Sequence, residues 1–355
     1  MAQQIDLEVA RTQLEKWFAR KMPEAADISL SPLKPPGAGS SNETYFLTLN
    51  WREGQEARTL KMVMRWPPLG DFLVFPRYAY DMSLQYRLLK GLSNTKVPVP
   101  TVHWMEEDPS VIGVPFYIMG EVNGWVPGDF PSYHVSGPLF EASEAERAQV
   151  WFDAVETLAR IHEVDWQEAG LDFLGPKTGN QGFIESQIAY YDEVFAQNGE
   201  PMPPILAKTR EWLLQNSFTP KRLSLCWGDT RLGNMVFRDN QVVAVLDWEM
   251  ACIGDPESDL AWFAHIDWTT SGGRPVAPID RLAGLPDVAA TIAHYEKTSG
   301  RKVENFHYYD VFAAYRLAIL FTRIEQDEKY LTRSGRPKGV ITGPHFAKLE
   351  RLLAA

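Results

Sequence analysis

Three residues in the second half of the chain carry types and spacing suited to chemistry: Asp229, Asn234 and Asp247. The first two lie in Gly228-Asp229-Thr230-Arg231-Leu232-Gly233-Asn234, with an apolar run before them and the β-like Met235-Val236-Phe237 after. A second apolar run, Val242 to Leu246, ends in Asp247. Phosphates in reaction carry several negative charges, so a carboxylate tolerates them only with a divalent cation between. Asp247 at a strand end can ligate magnesium directly, and the Asn234 amide oxygen adds a neutral hard ligand. Asp229, kept off the metal, can take or orient the proton of an attacking hydroxyl. Each residue alone also fits an ordinary turn or cap, since Asp229 and Asn234 both follow a glycine. Three turn residues falling in this order is the less economical reading.

A strand-loop-strand hairpin is needed to bring the three together, and the surrounding sequence supplies it. Residues 223–249 form a compact β-like island with a turn at Asp239-Asn240. On either side, apolar spacing of three and four predicts helices over 145–163, 183–196, 205–216, 256–266, 286–299 and 308–328. The first third reads differently. A helix over 6–21 places Leu7, Ala10, Leu14, Trp17 and Phe18 on one face. β-runs follow at 44–49 and 59–66, then a helix over 81–92 and strands at 102–105 and 115–119. Gly120 to Gly124 reads as a linker. The expectation is an α+β chain with a β-rich first part and a mainly helical second part.

Composition removes other classes. Lys and Arg number 35 against 46 Asp and Glu, a formal net charge of -11 with no basic run, so nucleic acid is not an expected partner. No apolar run approaches the ~20 residues of a membrane helix, so no membrane partner is expected either. Residues 1–9 lack the basic and apolar regions of a signal peptide. Cys226 and Cys252 form no C-x-x-C and no zinc spacing. A reduced, cytoplasmic protein acting on a small molecule is the expectation. G-x-S-x-G, H-E-x-x-H and a strand-borne G-x-G-x-x-G are all missing from the sequence.

The D-x-x-x-x-N spacing is that of the kinase catalytic loop, and here a family resemblance becomes specific. Gly228-Asp229-x-x-Leu232-Gly233-Asn234, Val245-Leu246-Asp247-Trp248-Glu249 and Gly254-Asp255-Pro256-x-x-Asp259-Leu260-Ala261-Trp262 together resemble the aminoglycoside phosphotransferase (choline-kinase-like) superfamily. The subgroup is similar to the kinase domain found beside some acyl-CoA dehydrogenases, and the resemblance covers about residues 28–330. It implies a protein-kinase-like bilobal fold, with an N-terminal helix at 1–27, an N-lobe at 28–120, a hinge at 121–125 and a C-lobe at 126–355. It implies ATP and magnesium, with Asp229 catalytic and Asn234 and Asp247 on the metal. Gly37, Gly39, Ser40 and Ser41 would turn over the phosphates, letting backbone N–H groups approach the anion. Arg65 would meet the α- and β-phosphates, and Met119, Glu121 and Val122 would meet adenine. Asp259 would brace the catalytic loop, while Arg231 would contact phosphate or brace the hairpin.

Three positions depart from the family pattern. Trp227 stands where a histidine is usual, which implies packing kept and a polar tie lost. Gln85 stands where a glutamate would pair with the strand cation, and that cation is Arg65 rather than lysine. A neutral amide holds a guanidinium less strongly than a carboxylate does. The resemblance therefore implies ATP-dependent phosphorylation of a small-molecule hydroxyl, such as that of a hydroxyacyl-CoA. An aminoglycoside phosphotransferase and a nucleotide-binding pseudokinase stay open as alternatives.

Overall fold

The computed structural model describes residues 5–36, 43–175, 182–197, 199–274, 276–335 and 337–355. The chain divides into two compact units, Met1–Asn94 with Val99–Asn123, and Thr95–Pro98 with Gly124–Ala355.

The first unit begins with α1 (Leu7–Lys21), whose N-terminus is capped by the Asp6 carboxylate accepting from the Glu8 and Val9 amides. Five strands follow: β1 (Ala25–Leu30), β2 (Glu43–Glu53), β3 (Glu56–Trp66), then α2 (Met82–Leu92), β4 (Val102–Glu106) and β5 (Phe116–Gly120). They form one antiparallel sheet in the order β1-β2-β3-β5-β4. Strand alternation divides its side chains between two faces. Met62, Met64, Trp66, Phe116 and Ile118 pack with Ala10, Leu14, Trp17 and Phe18, so α1 belongs to this unit's core. On the other face Arg65 pairs across the sheet with Tyr117. The Tyr117 hydroxyl lies 3.4 Å from Gln85 Oε1 on α2.

The second unit is mainly helical: α3 (Pro138–Glu141), α4 (Glu144–His162), α5 (Phe183–Ala196) and α6 (Pro204–Gln215), then α7 (Glu257–Thr270), α8 (Val288–Ser299), α9 (Phe306–Ile324), α10 (Glu328–Ser334) and α11 (Thr342–Leu352). The expected helix over 308–328 is α9, which ends earlier, at Ile324, and the Asp327 cap then opens a separate helix, α10. Between α6 and α7 lie β6 (Ser224–Cys226), β7 (Met235–Arg238), β8 (Gln241–Val245) and β9 (Cys252–Gly254). β7 and β8 form the expected hairpin. Its two turn residues, Asp239 and Asn240, both have left-handed φ of 51° and 61°, the geometry that matches strand twist. β6 pairs antiparallel with β9, which puts Trp227 and Met250 at the same end of that ladder. No helix of the described residues is long and apolar enough to cross a membrane.

Candidate active site

β6 ends at Cys226, and the next three residues turn sharply into the loop that carries the acid group. Gly228 has φ +88°, and a Cβ there would fall against the Met250 carbonyl. Only glycine takes this corner without strain. Asp259, on the first turn of α7 and fully buried, fixes the corner. Its Oδ2 accepts from the Trp227 amide (2.6 Å) and its Oδ1 from the Gly228 amide (2.9 Å). The Thr230 hydroxyl donates to the Asp259 carbonyl (2.6 Å). His162, at the end of α4, sits with Nε2 3.1 Å from Asp259 Oδ2 and Nδ1 2.8 Å from the Tyr295 hydroxyl. His162, Cys226 and Asp259 lie close enough to enclose an ion. The polar partners of His162 and Asp259 make the cluster a brace instead.

The Asp229 carboxylate is held by three donors. Asn234 Nδ2 (2.7 Å) and Arg231 Nε (3.0 Å) donate to Oδ2, and Trp262 Nε1 (3.1 Å) donates to Oδ1. Burial pushes its pKa up to about 6, and the nearby charge of Asp247 adds to the rise. The Trp262 and Asn234 hydrogen bonds and the Arg316 guanidinium pull the other way. Arg231 extends past Asp229 and pairs with Asp129. Burial lowers the Arg231 pKa, opposed by Asp247 and Glu249.

Asp247 is brought to this loop by the hairpin. The Leu246 amide donates to the Asn234 carbonyl (2.9 Å), so the two candidate metal ligands flank one backbone hydrogen bond. Asp247 has φ +54°, a left-handed conformation unusual for a residue with a side chain. The Trp227 indole N–H donates to the carbonyls of Leu246 (2.8 Å) and Asp247 (3.1 Å). Trp227 therefore keeps a polar tie, contrary to the expectation from its type. It clamps the backbone of the Asp247 turn while its ring stays buried.

The structure thus brings Asp229, Asn234 and Asp247 together within the second unit. Arg65, Met119, Glu121 and Val122 belong to the first. Arg65 is buried near the end of β3, Met119 is buried in β5, and the Glu121 amide donates to the Lys61 carbonyl (3.1 Å). Gly37, Gly39, Ser40 and Ser41 lie outside the described residues. Two residues next to Asp229 were not singled out as its partners in the sequence reading. Trp262 closes the quoted motif, with no role at Asp229 read from the sequence. Arg316 lies in the α9 stretch Ala313-Ala314-Tyr315-Arg316-Leu317-Ala318, where one cation among apolar residues is the signal that could have marked it.

Comparison with known proteins places the chain in a family. Residues 32–296 match the model of the phosphotransferase enzyme family. Acyl-CoA dehydrogenase family member 10 of Mus musculus is 30% identical over 291 residues, covering 79% of this chain and 25% of that protein. The chain spans between 25% and 37% of the length of such curated relatives. An aminoglycoside-phosphotransferase-like protein from Ralstonia eutropha superposes with a TM-score of 0.69 at 26% identity, covering 98% of this chain and 99% of that one. A thermostable variant of an aminoglycoside phosphotransferase, solved with ADP and hygromycin B, shares the fold. Its TM-score is 0.52 at 16% identity, over 96% of this chain and 98% of that one. The β-rich N-lobe and helical C-lobe are those of this group, and with more than half of its length matched the chain belongs to the phosphotransferase enzyme family.

Proposed function

We propose that this chain transfers the γ-phosphoryl group of ATP to a hydroxyl of a small molecule, with Asp229 as base and Asn234 and Asp247 as magnesium ligands. The observation that carries the reading is one buried carboxylate fixed by three donors beside a second carboxylate and an amide. Family membership supports the reaction class, and the related enzyme solved with ADP supports ATP as donor.

The residues present fit magnesium. Asn234 commits its Nδ2 to Asp229, which presents the amide oxygen as its ligating end. With Asp247 this makes an all-oxygen donor set of the kind a hard cation takes. When bound, magnesium would neutralise phosphate oxygens that the carboxylates alone would repel. Asp229 then orients the acceptor hydroxyl. As that oxygen bonds to the γ-phosphorus, the bond to the β–γ bridging oxygen breaks and ADP keeps its electrons. The hydroxyl proton passes to Asp229. Arg231, shared between Asp229 and Asp129, places positive charge beside the loop.

In this reading residues 28–120 carry the phosphate contacts, through Arg65 and the backbone of Gly37, Gly39, Ser40 and Ser41. Residues 121–125 are the hinge and 126–355 the catalytic part. Adenine is met by Met119 and by the Glu121 carbonyl and Val122 amide, because the Glu121 amide is committed to Lys61. The acceptor class we favour is a hydroxyacyl-CoA or similar metabolite, since the curated relatives are acyl-CoA dehydrogenase family members. The two free cysteines suit a reducing, cytoplasmic setting. A second reading, nucleotide binding without turnover, draws on the neutral Gln85 beside Tyr117.

Calorimetric titration with ATP, with and without magnesium, tests the site. Magnesium-dependent binding in the wild type and its loss in Asp247→Ala are expected. A turnover screen of hydroxyacyl-CoAs, sugars and aminoglycosides then separates the acceptors. No binding in the wild type would overturn the reading, and binding without turnover of any acceptor would favour the second.

A further inference from the structure

Arg316 is a buried cation that the phosphoryl-transfer reading leaves without a task. It lies in the middle of α9 and is 4% exposed. An unpaired buried charge is costly, so such a guanidinium normally faces a carboxylate. Its charge acts on the Asp229 and Asp259 carboxylates, but among the described residues its hydrogen-bond partners are neutral. Its Nε donates to the Tyr191 hydroxyl (2.8 Å), and a terminal nitrogen donates to the Gly228 carbonyl (3.2 Å). Its Cζ lies 4.3 Å from the ring centroid of Trp262, closer than to the rings of Tyr191 or Phe312.

Trp262 connects this cation to the base. Its ring is 1% exposed, one face lies under the guanidinium, and its indole N–H donates to Asp229 Oδ1. A cation on the face of an indole is attracted by the ring's negative quadrupole. It draws electron density away from the ring edge and strengthens the N–H as a donor. Oδ2 is already engaged by Asn234 and Arg231, while Oδ1 receives only Trp262 in the described structure. Residue Gly228, immediately before the base, is also held on both sides of its Cα. Asp259 takes its N–H and Arg316 its carbonyl.

The geometry points to Trp262 and Arg316 as a positioning pair that aims Asp229 Oδ1 at the acceptor hydroxyl. The inference rests on Asp229 being the base of the proposed reaction. Both residues act through another group, so the expected signature is a loss in turnover with nucleotide binding kept.

The test uses the full chain with Mg·ATP alone, water serving as acceptor. ADP release gives turnover and calorimetry gives nucleotide affinity. Trp262→Phe keeps the stacking ring and removes the N–H. Loss of a hydrogen bond to a charged group should lower turnover about tenfold or more, with Mg·ATP affinity within about twofold of the wild type. Arg316→Lys, which keeps the charge but not the planar stack, should show the same split and stands in should Trp262→Phe fold poorly. Combining Trp262→Phe with Asp229→Asn should cost nothing beyond Asp229→Asn. Unchanged turnover in both single variants, or loss of turnover in step with affinity, would overturn the pair. Asp229→Asn turning over like the wild type would overturn the base assignment itself, and a wild type that releases no ADP to water moves the same comparison to the acceptor found in the turnover screen. An inert Asp229→Asn beside a fully active Trp262→Phe removes only the present inference.

Discussion

Acidification should loosen α11 before the rest of the second unit, because that helix is docked through uncharged histidines. His345 is fully buried among Trp268, Phe321 and His265, at ring separations of 5.3, 4.8 and 5.8 Å. Neither of its ring nitrogens has a hydrogen-bond partner among the described residues. His265, on α7, has Nδ1 2.8 Å from Lys348 Nζ and 3.8 Å from Asp310. Lys348 also bonds to Asp310 (3.1 Å) and lies over the Trp268 ring. Burial, then the Lys348 charge, brings His265 down to about 4. Burial, then His265 and Lys348, brings His345 down to about 3. Both folded values lie below the ordinary 6.5, so the stability these groups confer is whole above pH 6.5 and is lost as pH falls. Each then costs about 1.4 kcal/mol per pH unit, a tenfold change in the opening equilibrium. Asp229 opposes this globally, because its raised pKa of about 6 lets the folded state bind a proton first. Comparison with His345→Leu cancels that contribution. The assay is hydrogen–deuterium exchange of the α11 amides between pH 6.5 and 5, corrected for intrinsic rates. Wild-type protection should fall about tenfold more steeply per pH unit than that of the variant. Parallel curves would refute the claim that His345 is held neutral by the fold.

Three further outcomes follow from other contacts. Trp227→Phe removes the donor to the Leu246 and Asp247 carbonyls. It should weaken magnesium-dependent ATP binding by up to about tenfold, and unaltered affinity by calorimetry would show that the clamp is dispensable. Gln85→Glu adds a carboxylate beside Tyr117 on the Arg65 face of the sheet. Turnover or Mg·ATP affinity should rise several-fold, whereas no change or a decrease would show that Gln85 is not the partner of the strand cation. Gly228→Ala drives a methyl group into the Met250 carbonyl at φ +88°. It should destabilise the chain by about 3 kcal/mol or more, and a wild-type thermal midpoint would contradict the tight corner.

That Asp229, Asn234 and Asp247 come together was legible because phosphoryl transfer, the proposed chemistry, dictates residue types and the hairpin dictates their spacing. The loop brace at Asp259 was legible for the same reason. Other features were hidden by physics that a single sequence obscures. β1 is an edge strand carrying a register shift and a left-handed Asp27, so its alternation is broken. α11 buries His345 where an apolar residue would have announced a helix. Trp227 reads as a bulky core residue until the direction of its indole N–H is known. The importance of Arg316 depends on a ring contributed from another helix, and no local pattern reports that.

The left-handed backbone at Asp247 has a consequence for selection experiments. A non-glycine residue held there stores about 1 kcal/mol or more of strain. Asp247→Gly would relieve that strain and remove a carboxylate that crowds Asp229. A library sorted for heat resistance alone should therefore enrich glycine at position 247 and so collect sturdier proteins that have lost the proposed metal ligand. Sorting the same library for ATP turnover should return aspartate, making this one position a direct reading of how stability and activity trade against each other in this chain.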